Sequence, residues 1–230
     1  MTTHLITGAG SGIGAALAQR LAARGDDLVL LARNAGRARV LRERFPDAAT
    51  LVADLEEPER MSWAFGQQEV PASIDSLVHC AGIVELGPVG DLSAALWQRT
   101  LAVNTIAPAE LTRLLLPSLR AARGQVVFVN SGAGLHASAD WSAYAASKFA
   151  LRALADALRG EEQPNGIRVT TVYPGRTATP MQQKVHAQEG RDYRPADWID
   201  PESVATAIVA ALDLPPDAEL TEITVRPAPR

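Results

Sequence analysis

The chain has 230 residues, of which 47% are apolar and 21% charged, with a formal net charge of −4 and one cysteine. That length predicts a single domain spanning 1–230, and the lone Cys80 excludes an internal disulfide framework and fits a reducing, cytoplasmic setting. The acidic balance, the lack of an apolar run of about 18 residues and an opening unlike a signal peptide argue against nucleic-acid and membrane partners.

Read in order, the chain alternates short apolar runs with longer helical patterns. A strand over 4–7 leads to a helix over 13–24, then strand 27–31, helix 35–44, strand 49–53, helix 58–67 and strand 76–80. A long helix over 94–122, strand 125–130, helix 144–160, strand 168–173, helix 201–212 and a last strand over 222–226 complete the series. The runs are continuous Val, Leu and Ile rather than alternating, as expected of strands covered on both faces. Regular alternation of this kind predicts an α/β chain with a doubly wound, Rossmann-like parallel sheet of about seven strands and helices on both faces. Ligands of such sheets bind at the carboxyl ends of the strands. The weakly periodic segment 177–199 is long for a connection and is expected to form a lid over the substrate.

After the first strand comes Gly8-Ala9-Gly10-Ser11-Gly12-Ile13-Gly14. Glycines there let backbone approach a phosphate, and the following helix start offers free N–H groups and the positive end of a dipole. A bare tight turn would also use glycines, but a turn set between the first strand and the first helix favours pyrophosphate. The second strand is followed by Ala32 and Arg33, where NAD-binding sites usually place a carboxylate for the ribose hydroxyls. Without a carboxylate to repel a 2′-phosphate, and with the planar fork of Arg33 to hold one, NADP(H) is the expected cofactor, with NAD(H) possible. Further on, Tyr144 and Lys148 share one face of a helix a turn apart. An ammonium beside a phenol is expected to pull its pKa below about 10 and suit it to proton exchange. Lys148 and Lys184 are the only lysines among 22 basic residues, which marks Lys148 as a specific choice over arginine. Ser131 follows the strand 125–130, where an active-site hydrogen-bond donor would sit.

Taken together, Thr7-Gly8-x-x-x-Gly12-x-Gly14, Asp54-Leu55, Ala81-Gly82, Asn104, Ser131, Tyr144-x-x-x-Lys148 and Pro174-Gly175 resemble the short-chain dehydrogenase/reductase family over nearly the whole chain. The resemblance implies NAD(P)-dependent interconversion of a carbonyl and an alcohol, in a homodimer or homotetramer acting on a small molecule. It implies Tyr144 as catalytic acid/base, Ser131 as the group polarising the substrate oxygen, and Lys148 as the residue on the nicotinamide ribose. By the same resemblance Asn104 holds a proton-relay water, Asp54 and Leu55 contact adenine, and Thr179 hydrogen-bonds the cofactor beyond the Pro174-Gly175 turn. Gly8, Ser11, Gly12, Ile13, Gly14, Ala81, Gly82 and Thr177 complete the expected cofactor contacts.

The chain departs from the family at His79-Cys80, where Asn-Asn is common, and at Thr177, where Ile or Val is usual. Both stretches contribute backbone, so cofactor binding is expected to survive. His79 is expected to be a satisfied structural histidine and Cys80 a small filler, and the dispersed histidines His4, His136 and His186 suggest no metal. His186 is expected on the lid surface. A non-catalytic dinucleotide sensor would not require all of Asn104, Ser131, Tyr144 and Lys148, and a lyase or epimerase would need a larger substrate domain. Leu135, Trp141, Met181 and Val185 are the expected apolar walls and His136, Lys184 and Arg191 the polar ones, a mixture read here as favouring a hydrophobic ketone or aldehyde.

Overall fold

A computed structural model describes residues 2–228. Its strands β1 (Thr3–Thr7), β2 (Asp27–Ala32), β3 (Ala49–Val52), β4 (Ser76–His79), β5 (Gln125–Val129), β6 (Arg168–Pro174) and β7 (Glu222–Val225) form one sheet in the order β3-β2-β1-β4-β5-β6-β7. Every pairing is parallel. All seven expected strands are present, with ends shifted by about a residue.

The helices are α1 (Gly12–Arg24), α2 (Ala35–Arg44), α3 (Met61–Gly66), α4 (Ala94–Leu101), α5 (Ala107–Ala122), α6 (Ser142–Glu162), α7 (Pro180–Gln188) and α8 (Pro201–Leu212). Successive strand residues point to opposite faces, and here both faces are covered. Ile6, Leu30, Val78, Val127 and Val172 pack with Leu17 and Leu21 of α1, Leu41 of α2 and Val204 and Ile208 of α8. Their neighbours Leu5, Val29, Leu77, Val126, Phe128 and Val169 pack on the other side with Phe65 of α3, Leu111 and Leu115 of α5 and Leu151 of α6. This explains why the strands read as unbroken apolar runs.

Three helical expectations need correction. The span 58–67 opens with a 3-10 turn, Pro58–Arg60, before α3. The span 94–122 is not one helix: α4 and α5 are separated by a π-helical turn, Ala102–Ile106. The span 177–199 holds α7 and a second 3-10 turn, Pro195–Asp197, and a parallel bridge joins Thr177 to Ile199 at its two ends. Winding reverses between β1 and β4, so their carboxyl ends open the crevice where the glycine turn sits.

Candidate active site

The crevice is built from a close backbone approach. Thr7 Oγ1 accepts hydrogen bonds from the N–H groups of Cys80 (3.1 Å) and Ala81 (3.0 Å), tying β1 to the segment after β4. Gly8 then turns with φ +73°, and a Cβ there would lie 2.8 Å from the Ala81 nitrogen, so the position requires glycine. Beyond the turn, α1 begins at Gly12 with no side-chain cap at Ser11 and no acidic residue in its first turn. By contrast α2, α4, α7 and α8 are capped by Asn34, Ser93, Thr179 and Asp200. The uncapped donors of α1 face the main cavity, whose lining includes Ser11, Gly12, Ile13 and Gly14.

The chemistry-bearing side chains come from β5 and α6. Ser131 follows β5; its N–H donates to Asn130 Oδ1 (2.8 Å) and its Oγ accepts from Ala133 N–H (3.1 Å). Asn130 Nδ2 donates to the Lys148 carbonyl (3.0 Å), so one amide locks the strand end to α6. Sequence reading passed over Asn130, and its place directly before Ser131 at a strand's carboxyl end was the signal available. Tyr144 and Lys148 are both buried, and the Lys148 Nζ donates to the Val129 carbonyl (3.1 Å) and lies 5.8 Å from the Tyr144 ring centre. Burial lowers the Lys148 ammonium to about 8. Burial also pushes the Tyr144 phenol up, opposed only by the Ser131 hydroxyl. The expected fall of the phenol under Lys148 is therefore corrected for the chain alone, because desolvation outweighs an ammonium turned toward a backbone carbonyl.

Asn104 sits on the π-helical turn, 1% exposed, where its Oδ1 accepts from Ile83 N–H (2.9 Å) and its Nδ2 donates to the Ile83 carbonyl (2.9 Å) and Ser147 Oγ (3.0 Å). It braces the wall beside Gly82 rather than lining the cavity. That cavity, about 680 Å³, brings together Gly8, Ala81, Gly82, Ser131, Tyr144, Lys148, Pro174, Gly175, Thr177, Thr179, Trp141 and Met181. A smaller hollow of about 200 Å³ shares Gly8, Ala81 and Gly82 with it and adds Arg33, Asp54 and Leu55. The Thr179 hydroxyl caps α7 by accepting from Gln182 N–H (3.2 Å), and Thr177 Oγ1 donates to the Gly175 carbonyl (2.9 Å).

Several residues expected around the substrate lie outside the cavity lining. Leu135 is outside the cavity lining, because the 3-10 turn Gly132–Gly134 presents Ala133 and His136 instead. Lys184 pairs with Glu85, and Arg191 approaches Glu189 (4.0 Å). His186, expected at the lid surface, is 2% exposed, bonded through Nδ1 to Gln182 and packed against Tyr193 and Trp198. His79 is satisfied, as expected, by Thr112 (3.0 Å), and desolvation pushes the thiol of half-buried Cys80 up to about 12. The uncapped helix start, the glycine turn and the linked hollows fit a nicotinamide dinucleotide.

Residues 2–190 match the family described as short chain dehydrogenase. The chain belongs to that family. A short-chain dehydrogenase is an oxidoreductase acting on small molecules, in keeping with a cavity of this size. The chain is 33% identical over 235 residues to a glycine betaine reductase of Emericella nidulans, covering 97% of this chain and 18% of that protein. It is 29% identical to an uncharacterized oxidoreductase of Staphylococcus saprophyticus over 97% of this chain and 96% of the relative. A short-chain dehydrogenase from Sphingobium yanoikuyae in complex with NADPH superimposes with a TM-score of 0.81 at 29% identity, covering 97% of this chain and 87% of the other. Among the described residues of this short-chain dehydrogenase, no helix is long and apolar enough to cross a membrane, and no group of three or more His, Cys, Asp or Glu side chains is placed to hold a metal.

Proposed function

We propose that the protein is an NADP(H)-dependent oxidoreductase that interconverts a ketone or aldehyde and its alcohol. The observation that carries this reading is the convergence of Ser131, Tyr144 and Lys148 on the cavity that also receives the glycine turn and the start of α1. The NADPH complex of the Sphingobium yanoikuyae relative supports the cofactor. Support for NADP over NAD comes from buried Ala32 where a carboxylate would stand, and from exposed Arg33 on the adjoining hollow.

Bound NADPH supplies hydride to the carbonyl carbon. Ser131 donates a hydrogen bond to the carbonyl oxygen and stabilises the charge that develops there. Tyr144 gives its phenolic proton to that oxygen, completing the alcohol. Burial keeps the phenol protonated through neutral pH, which suits a proton donor in the reductive direction. Lys148 holds the ribose and the tyrosinate left behind, Asn130 fixes Lys148, and Asn104 braces Ile83 beside Gly82. Segment 177–199 acts as the lid, and exposed Ile106 and Phe149 support pairing of subunits through the α5–α6 side.

NADPH absorbance with a panel of carbonyl compounds tests the reading. Tyr144→Phe, which keeps the ring, should abolish nearly all turnover while leaving NADPH binding almost intact. Lys148→Ala should damage both. Substantial turnover by Tyr144→Phe would remove the phenol as proton donor.

A further inference from the structure

We infer that the substrate carries a carboxylate as well as the reacting carbonyl or alcohol, and that Arg226 is the residue that holds it. The inference rests on the carbonyl/alcohol reading above and specifies its substrate class. The chain as a whole has a net charge of −4, yet the cavity lining carries Lys148, Arg176 and Arg226 and, among the described residues, no carboxylate. Two of these cations are engaged. Lys148 bonds the Val129 carbonyl beneath Tyr144. Arg176 places both terminal nitrogens on Glu189 (2.7 and 2.6 Å) and lies over the rings of Trp141 (6.0 Å) and Trp198 (5.5 Å). Arg226 has no hydrogen bond or ion pair with any described residue. It is the cation left for a ligand.

Its position matches that task. Arg226 directly follows β7, the strand beside β6, and its side chain crosses the carboxyl end of β6 to reach Gly132. A Cβ on Gly132 would sit 2.8 Å from Arg226 Nη1 and 3.5 Å from Nη2, so the guanidinium lies directly against the Gly132 backbone. Gly132 follows Ser131. The guanidinium therefore stands against the residue next to the serine proposed to receive the reacting oxygen, while Val84, Trp141, Met181 and Val185 offer an apolar wall in the same cavity. A planar fork matches the two oxygens of a carboxylate. One unengaged fork neutralises one charge, so a dianionic phosphate would bring charge the site does not balance. The ligand that suits cation and wall together is an amphiphilic oxo acid or hydroxy acid, which adds a charge to the hydrophobic ketone or aldehyde expected from the sequence.

The test compares short linear oxo-carboxylates with their methyl esters, using the full chain and NADPH. The wild-type protein should favour the acid in kcat/KM by about tenfold or more, mainly through KM, and the advantage should shrink as salt is added. Arg226→Gln should bring the acid-to-ester ratio to about one, whereas Arg226→Lys, retaining the charge without the fork, should keep part of it. Equal use of acid and ester by the wild type, or a ratio that Arg226→Gln leaves unmoved, overturns the inference. If no carbonyl compound is reduced, the proposed reaction fails, and tryptophan fluorescence then decides on the carboxylate site separately. Saturable quenching by the oxo-carboxylate in the wild type, lost in Arg226→Gln, supports it, and absence of quenching overturns it.

Discussion

Arg33 takes part in no salt bridge among the described residues; it stands exposed at the rim of the hollow that also holds Asp54 and Leu55. A guanidinium left unpaired there can meet a 2′-phosphate without first breaking a bond, and buried Ala32 presents nothing to repel it. NADPH should therefore bind more tightly than NADH by about ten- to hundredfold, the worth of one charge-assisted contact. Fluorescence titration of both reduced cofactors measures this, and Ala32→Asp combined with Arg33→Ala should turn the preference toward NADH. Equal affinities in the wild type would show that Arg33 is only a solvated residue at the start of α2. The place of Arg33 on this hollow was legible from its position directly after the second strand, because a strand end dictates where the next side chains go. Arg226 was not legible in the same way, since its neighbour Gly132 is distant in the chain and meets it only once β5, β6 and β7 align.

The π-helical turn between α4 and α5 shows what periodicity leaves out. Apolar spacing continues through 94–122 on both sides of the turn, so the span reads as one helix, and only the backbone, where Ala107 N–H reaches the Ala102 carbonyl, reveals the inserted residue. Turns of this kind gather at functional sites, and here one aims an amide at Ile83. Asn104→Ala removes the partner of both Ile83 backbone groups. It should cost about 1–3 kcal/mol in stability and speed hydrogen exchange at the Ile83 amide, with NADPH affinity falling as the 81–83 wall relaxes. Unchanged exchange at Ile83 would show that the amide braces nothing. Helix α7 escaped notice for a different reason. It buries polar Gln182 and His186 together with Val185, so its inward face carries no apolar stripe to read. The strands were the easiest part, because burial on both faces leaves each run uninterrupted.

At the scale of the whole molecule, two buried histidines tie stability to pH. His4 on β1 bonds Ser76 Oγ (2.6 Å), and His79 on the adjacent β4 stacks on Phe128 with ring centres 4.9 Å apart. Burial lowers His4 and takes His79 down to about 3. Both are thus neutral in the folded chain, while the unfolded chain takes up protons as pH falls below about 6.5. Their contribution is fully present above that pH and declines as pH falls below it, that of His79 down to about 3. Urea midpoints should decline across this window, and His79→Asn should make the decline shallower; identical slopes would assign the effect to other groups. The bridge between Thr177 and Ile199 sets a different kind of limit. It clasps the two ends of the segment carrying α7 side by side, next to β6 and just before α8. Whatever is inserted, deleted or rewritten between those ends leaves both neighbours in register. The segment is thus a cassette whose length and sequence can vary between clasped ends while β6 and α8 keep their places.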